Sequence, residues 1–141
     1  MHDGCSEDSV FVEQIAGGGF VRFDVRLSLV DSHVLKREHY LFVCINRRTE
    51  DNPKGCCAAR DSEEVYQALK AEVAARGLAK TEARVCTSSC LDQCATGVSV
   101  LVEPDHFFYG RVTVADVPEI VDALVQCEPV KRLVVPADLP P

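Results

Sequence analysis

The chain has 141 residues, of which 47% are hydrophobic, and this length and composition suit one globular domain with a core. Its formal net charge of −7 argues against nucleic acid and anionic membranes, which bind through Lys and Arg, and favours partners with basic docking surfaces. No apolar run approaches the roughly 20 residues of a membrane helix, and no secretion signal is recognisable, so we expect a cytoplasmic protein.

The first 38 residues predict an acidic tail followed by a β-hairpin. Residues 10–15 suit a short strand, and three glycines at 17–19 permit a tight reversal. Apolar and polar residues then alternate strictly over residues 21–29, as is typical of a half-buried antiparallel strand. We therefore predict an N-terminal extension over residues 1–38 that adds to the sheet or a dimer surface, provides a surface for docking a partner, or is an addition to the core without a function of its own.

A strand–helix–strand unit is predicted next. Residues 40–45 are almost continuously apolar, which suits a central strand covered on both faces. After a polar loop, Asp61 and Glu64 resemble a capping box at the start of a helix over residues 62–76. A second strand follows over residues 82–87, and a strand–helix–strand connection predicts that the two strands lie parallel.

The C-terminal part predicts a hairpin and a final helix. Residues 98–102 and 107–112 suit two strands joined by a polar turn. The helix is predicted over residues 113–127, with Cys127 on its apolar face and therefore in the core. These elements predict an α/β fold with a mixed sheet for the domain at residues 39–141.

Eight cysteines are far more than usual, and in a reducing cytosol they indicate metal ligation or redox chemistry rather than disulfides. Four of them frame two loops with C-x12-C and C-x3-C spacing: Cys44, Cys57, Cys90 and Cys94. Four thiolates can hold either a 2Fe–2S cluster or a structural zinc ion. Neither the C-x2-C unit of zinc sites nor the C-x4-C-x2-C unit of plant-type ferredoxins is present, so spacing alone leaves both open.

Charged residues surround these loops. Four basic residues flank the first two thiols and could offset the negative charge of the thiolates: Arg47, Arg48, Lys54 and Arg60. Three acidic residues in the same loops are candidate docking charges for a basic partner: Glu50, Asp51 and Asp92.

An ordered series of motifs carries a family resemblance. It comprises FVC at 42–44, PKGCCAAR at 53–60, SCLDQCA at 89–95, FYG at 108–110 and DVPEI at 116–120. Over about residues 39–135 the chain resembles the thioredoxin-like 2Fe–2S ferredoxins, also called Shethna-type bacterial ferredoxins.

The resemblance implies a thioredoxin-like sheet and a homodimeric one-electron carrier that is not an enzyme. By position in the family pattern, the ligands of the 2Fe–2S cluster are Cys44, Cys57, Cys90 and Cys94, whereas Cys56 and Cys86 match positions that do not ligate. Two alternatives remain for the same thiols: a zinc-stabilised interaction module and a redox sensor that signals by losing its cluster.

Overall fold

The computed structural model describes residues 37–138, and its strands form one mixed sheet. The strands are β1 (His39–Cys44), β2 (Ala83–Ser88), β3 (Val100–Glu103) and β4 (Phe107–Tyr109), in the spatial order β2-β1-β3-β4. β1 pairs in parallel with β2 and antiparallel with β3, and β3 pairs antiparallel with β4. The predicted α/β class, parallel strand pair and C-terminal hairpin are confirmed.

Two helices accompany the sheet, α1 (Ser62–Ala75) and α2 (Val117–Gln126). α1 agrees with the prediction, but the capping box predicted at its start is wrong. Asp61 has a left-handed backbone, with φ 62°, and its side chain makes no capping hydrogen bond. The chain does contain a capping box before α2, where Thr113 and Asp116 exchange hydrogen bonds around a short 3-10 turn.

The core lies between the sheet and the helices. In β1, Leu41 and Val43 are fully buried, and the alternate residues Tyr40 and Phe42 are half-buried. The helices and the neighbouring strands contribute further buried side chains: Val65, Leu69, Val73, Val85, Val100, Val102, Ile120, Val121 and Leu124. Because each such side chain stabilises the fold by roughly 1.5–3 kcal/mol on burial, the core fixes the strands from which the cysteine loops leave.

The parallel register brings these loops to the same edge of the sheet. Cys44, the last residue of β1, lies opposite Ser88, the last residue of β2. The backbone N–H of Ile45 donates to the carbonyl of Ser88 at 3.1 Å, so the pairing continues one residue beyond the strands. The loop after β1 and the loop after β2 therefore start side by side.

The predicted N-terminal hairpin at 10–30 lies outside the described residues, and the domain boundary at 38/39 stays a prediction.

The expected core position of Cys127 is wrong, because Cys127 is exposed at the C-terminal cap of α2 with φ 56°. Within residues 37–138, none of the helices has the length and apolarity required to cross a membrane.

Candidate metal centre

The four thiols predicted as ligands occupy the two loops at this edge of the sheet. Cys44 ends β1, and Cys57 immediately precedes the 3-10 turn Ala58–Arg60 that leads into α1. Cys90 follows β2 by two residues, and Cys94 begins the 3-10 turn Cys94–Thr96. Three of these cysteines are buried, whereas Cys90 is half-buried.

Cys90 and Cys94 form a close pair. Their sulfur atoms lie 3.9 Å apart. Two thiolates bound to one tetrahedral metal ion, at metal–sulfur distances of about 2.3 Å, are separated by about 3.8 Å. The second loop therefore already presents two sulfurs at the spacing that a single tetrahedral metal requires.

Cys44 and Cys57 form a second pair next to the first. The pKa of the Cys57 thiol is raised to about 11, mainly by burial and in addition by the Cys44 thiol, and hydrogen bonding from Ser99 offsets this only in part. The Cys57 sulfur also lies 3.0 Å from the carbonyl oxygen of Gly97. Burial likewise raises the pKa of Cys94, and both Cys90 and Cys44 contribute to that shift. Since Cys44 acts on Cys57 and on Cys94, the two pairs adjoin.

The neighbouring cysteines have different surroundings. Cys56 is buried, and the backbone N–H groups of Arg48 and Ala59 are the main cause that lowers the pKa of its thiol. Cys86 is half-buried within β2, in register with Phe42 of β1. The Cys44 thiol acts on Cys57, whereas backbone groups are the main influence on Cys56, and the choice between the two as a ligand stays a prediction.

Two of the four flanking basic residues bridge the two cysteine loops. The Arg48 guanidinium donates through Nη2 to the Cys90 sulfur at 3.2 Å, and Arg60 donates through Nη1 to the carbonyl oxygen of Cys94 at 2.8 Å. The backbone N–H of Asp92, then the Cys94 thiol and Arg48, lower the pKa of Cys90 against the effect of burial. The other two basic residues, Arg47 and Lys54, are exposed, as are the three acidic candidates for docking.

The turn after Cys94 depends on residues that sequence reasoning did not single out. The hydroxyl groups of Thr96 and Ser99 both donate to the carbonyl oxygen of Gln93 at 2.9 Å. Gly97 has φ 83° and ψ −138° and lies against the backbone of Arg111. Small hydroxyl residues beside a cysteine loop were the available signal for Thr96 and Ser99.

The four thiols are compatible with more than one kind of metal centre. Among residues 37–138, no three His, Cys, Asp or Glu side chains converge on a position for one metal ion. Four thiolates can bind two at each metal of a two-metal cluster, or all four around a single zinc ion.

Comparison with known proteins gave consistent matches, although no family model matches the chain. A protein named "Ferredoxin, 2Fe-2S" from Aquifex aeolicus (strain VF5) is 37% identical over 103 residues, covering 72% of this chain and 93% of that protein. Its namesake from Clostridium pasteurianum is 35% identical over 97 residues, covering 68% and 94%. The crystal structure of the wild-type thioredoxin-like [2Fe-2S] ferredoxin from Aquifex aeolicus superposes with a TM-score of 0.66 at 37% identity, covering 70% of this chain and 96% of that chain.

Proposed function

The chain belongs to the thioredoxin-like [2Fe-2S] ferredoxins, and we propose that it is a one-electron carrier with one 2Fe–2S cluster. The proposed ligands are Cys44, Cys57, Cys90 and Cys94. The observation that carries this assignment is the 3.9 Å separation of the Cys90 and Cys94 sulfurs beside the contacting pair of Cys44 and Cys57. The protein shuttles electrons between redox enzymes and is not itself an enzyme.

The cluster supplies a centre that takes up and releases one electron, and the surrounding residues supply the conditions for that transfer. Burial excludes water from three of the four thiols, those of Cys44, Cys57 and Cys94. Arg48 and the backbone N–H of Asp92 donate to the Cys90 sulfur, which offsets the negative charge of the thiolates. Because Cys90 is the most accessible of the four thiols, a partner approaches the centre most closely at this residue.

The partners that we propose are redox proteins with basic docking surfaces. Exposed carboxylates lie in both cysteine loops, at Glu50, Asp51 and Asp92, so the docking charge stands beside the redox centre. Opposite charges on the two proteins raise the rate of encounter and orient the pair before electron transfer. On the basis of the family resemblance we also propose a cytoplasmic homodimer, whose mass light scattering after gel filtration measures directly.

Anaerobic purification tests the proposed function. The protein should be red-brown and should contain about two iron and two sulfide per chain, the ratio of this cluster type. Titration with dithionite should reduce it by about one electron per chain and produce an electron paramagnetic resonance signal that the oxidised protein lacks. A colourless protein that contains zinc would contradict the proposal and favour the zinc-stabilised module, and a partner whose binding changes on cluster loss would favour the redox sensor.

A further inference from the structure

We propose that Arg48 is a positioning residue that raises the reduction potential of the cluster through its hydrogen bond to the Cys90 sulfur. The proposal rests on the proposed function, because it requires that Cys90 is a ligand. Under this proposal Arg48, which is not one of the four ligands, adjusts the reduction potential through its side chain.

The contact joins the two cysteine loops directly. Arg48 lies in the loop after β1, 42 residues away from Cys90 in sequence, and its Nη2 atom lies 3.2 Å from the Cys90 sulfur. The backbone N–H of Asp92 is a second donor to the same sulfur, at 3.4 Å. The hydrogen bond between Arg48 and Cys90 is also the main cause of the raised pKa of the Arg48 guanidinium.

Among the basic residues of the cysteine loops, this contact with a thiol is specific to Arg48. Arg60 directs its guanidinium to the carbonyl oxygen of Cys94 and not to a sulfur. Arg47 is adjacent to Arg48 in sequence but is exposed, whereas Arg48 is half-buried. The same charge therefore stands at two neighbouring positions, and in the described part of the chain only one of them reaches a predicted ligand.

The direction of the effect follows from charge. Reduction transfers one electron from the donor, which is oxidised by one electron, to the cluster, and no protein bond forms or breaks. The cluster and its thiolates gain one negative charge, so a cationic donor hydrogen-bonded to a ligand sulfur stabilises the reduced state more than the oxidised state. Half-burial of both partners limits the screening of this interaction by water. Arg48 therefore raises the potential, and its loss makes the protein harder to reduce.

Redox titration of the cluster-containing protein tests the proposal with a matched pair of variants. Arg48→Gln should lower the equilibrium constant for reduction about tenfold, which for one electron is a shift of about 59 mV to more negative potential. Arg47→Gln removes the same charge one residue away and should leave the potential close to that of the unaltered protein. An unchanged or more positive potential in Arg48→Gln, or an equal shift in Arg47→Gln, would overturn the proposal.

If Arg48→Gln does not assemble a cluster, a third variant, Arg48→Lys, tests whether Arg48 raises the potential. Arg48→Lys keeps the charge but replaces the planar guanidinium with a compact, strongly hydrated ammonium, so a smaller negative shift is expected. A potential equal to that of the unaltered protein in Arg48→Lys would overturn the role of the guanidinium hydrogen bond. Thermal unfolding of each apoprotein separates a potential shift from a loss of fold. A cluster-free unaltered protein would instead refute the proposed function itself, so the two failures are distinguishable.

Discussion

The guanidinium of Arg60 donates a 2.8 Å hydrogen bond to the carbonyl oxygen of Cys94 and thereby connects the two cysteine loops across 34 residues of sequence. Arg60 ends the 3-10 turn that follows Cys57, so this bond links the position of one predicted ligand to that of another. A hydrogen bond from a charged donor to a partly buried carbonyl stabilises the loops even before any metal binds.

Arg60→Met should therefore weaken the apoprotein. We expect its free energy of unfolding to fall by about 1 kcal/mol, since the carbonyl of Cys94 loses a charged donor while the site stays partly open to water. Urea denaturation of the reduced apoprotein measures this change. Lys54→Met removes an exposed positive charge from the same loop and is the control. Equal effects of the two substitutions would show that only net charge matters.

The adjacent cysteines at 56 and 57 should respond differently to replacement by serine. Cys57 contacts Cys44, whereas the Cys56 thiol faces the backbone N–H groups of Arg48 and Ala59. Cys57→Ser should therefore alter the visible absorption and the paramagnetic resonance of the cluster, or prevent its assembly. Cys56→Ser, which is equally conservative, should leave both spectra unchanged. The reverse result would assign the ligand to Cys56.

Replacement of Gly97 by alanine should destabilise the protein more than the same replacement at Gly77, another glycine with positive φ. At φ 83° and ψ −138° it occupies a region that is essentially restricted to glycine, and an added Cβ would lie 3.3 Å from the Cα of Arg111. Gly97→Ala should cost about 1–3 kcal/mol of stability and should accelerate loss of the cluster to a chelator.

Gly77 provides the matched control at the end of α1. Its φ is 74°, but an added Cβ would meet nothing within 4 Å. Gly77→Ala should therefore cost about 1 kcal/mol from backbone strain alone and should leave the rate of cluster loss unchanged. A cost for Gly77→Ala as large as that for Gly97→Ala would contradict a role for the close approach of Arg111.

Sequence patterns that span a few residues were sufficient to predict the strands and helices but not the details of their ends. The apolar run over residues 40–45 gave the correct strand, because a strand covered on both faces is apolar at successive positions. The capping box at Asp61 was wrong because its sequence pattern does not report backbone φ, and here the preceding 3-10 turn leaves Asp61 left-handed. Sequence could not place Cys127 either, since the left-handed end of α2 turns it to the surface.

For the candidate site as well, the sequence predicts some features and leaves others undetermined. Motif order predicts which four cysteines are ligands, and this stays a prediction, whereas the parallel register of β1 and β2 explains why the loops that carry Cys44 and Cys90 leave the sheet side by side. Sequence also identified Arg48 as a nearby charge but could not assign its partner, because the contact with Cys90 depends on how two loops fold against each other. Choosing between Arg47 and Arg48 requires knowledge of which side chain points inward, and no pattern in the loop encodes that.

The proposed docking charges predict an ionic-strength dependence. Glu50→Lys should slow reduction of a basic one-electron acceptor, such as cytochrome c, by several-fold at low salt, because an exposed carboxylate beside the cysteine loops becomes repulsive. Stopped-flow spectroscopy measures the rate, and the difference should shrink as salt rises. Glu128→Lys makes the same charge change in the exposed segment after α2 and should have a smaller effect. Equal slowing by both variants would indicate net charge rather than a docking site.

Asp116 should make the fold sensitive to acid. Its carboxylate accepts hydrogen bonds of 2.8 Å from the backbone N–H and the hydroxyl of Thr113, and a further one of 2.8 Å from Arg132. Burial alone would raise the pKa of Asp116, but these donors together lower it. Because the folded pKa lies below the unfolded value of about 3.9, the stabilisation is fully present above that value and is lost as pH falls through the folded pKa.

Asp116→Asn should therefore reduce the free energy of unfolding by about 1–2 kcal/mol at pH 7. The difference from the unaltered protein should stay constant down to about pH 5 and should narrow below about pH 4, where Asp116 of the unfolded chain takes up a proton that the folded protein does not yet bind. Urea denaturation of both apoproteins at pH 7, 5 and 3 measures this. Glu128→Gln, at an exposed position, should show no comparable loss. A difference that persists undiminished at pH 3 would mean that the shape of the cap, and not the charge of Asp116, stabilises the start of α2.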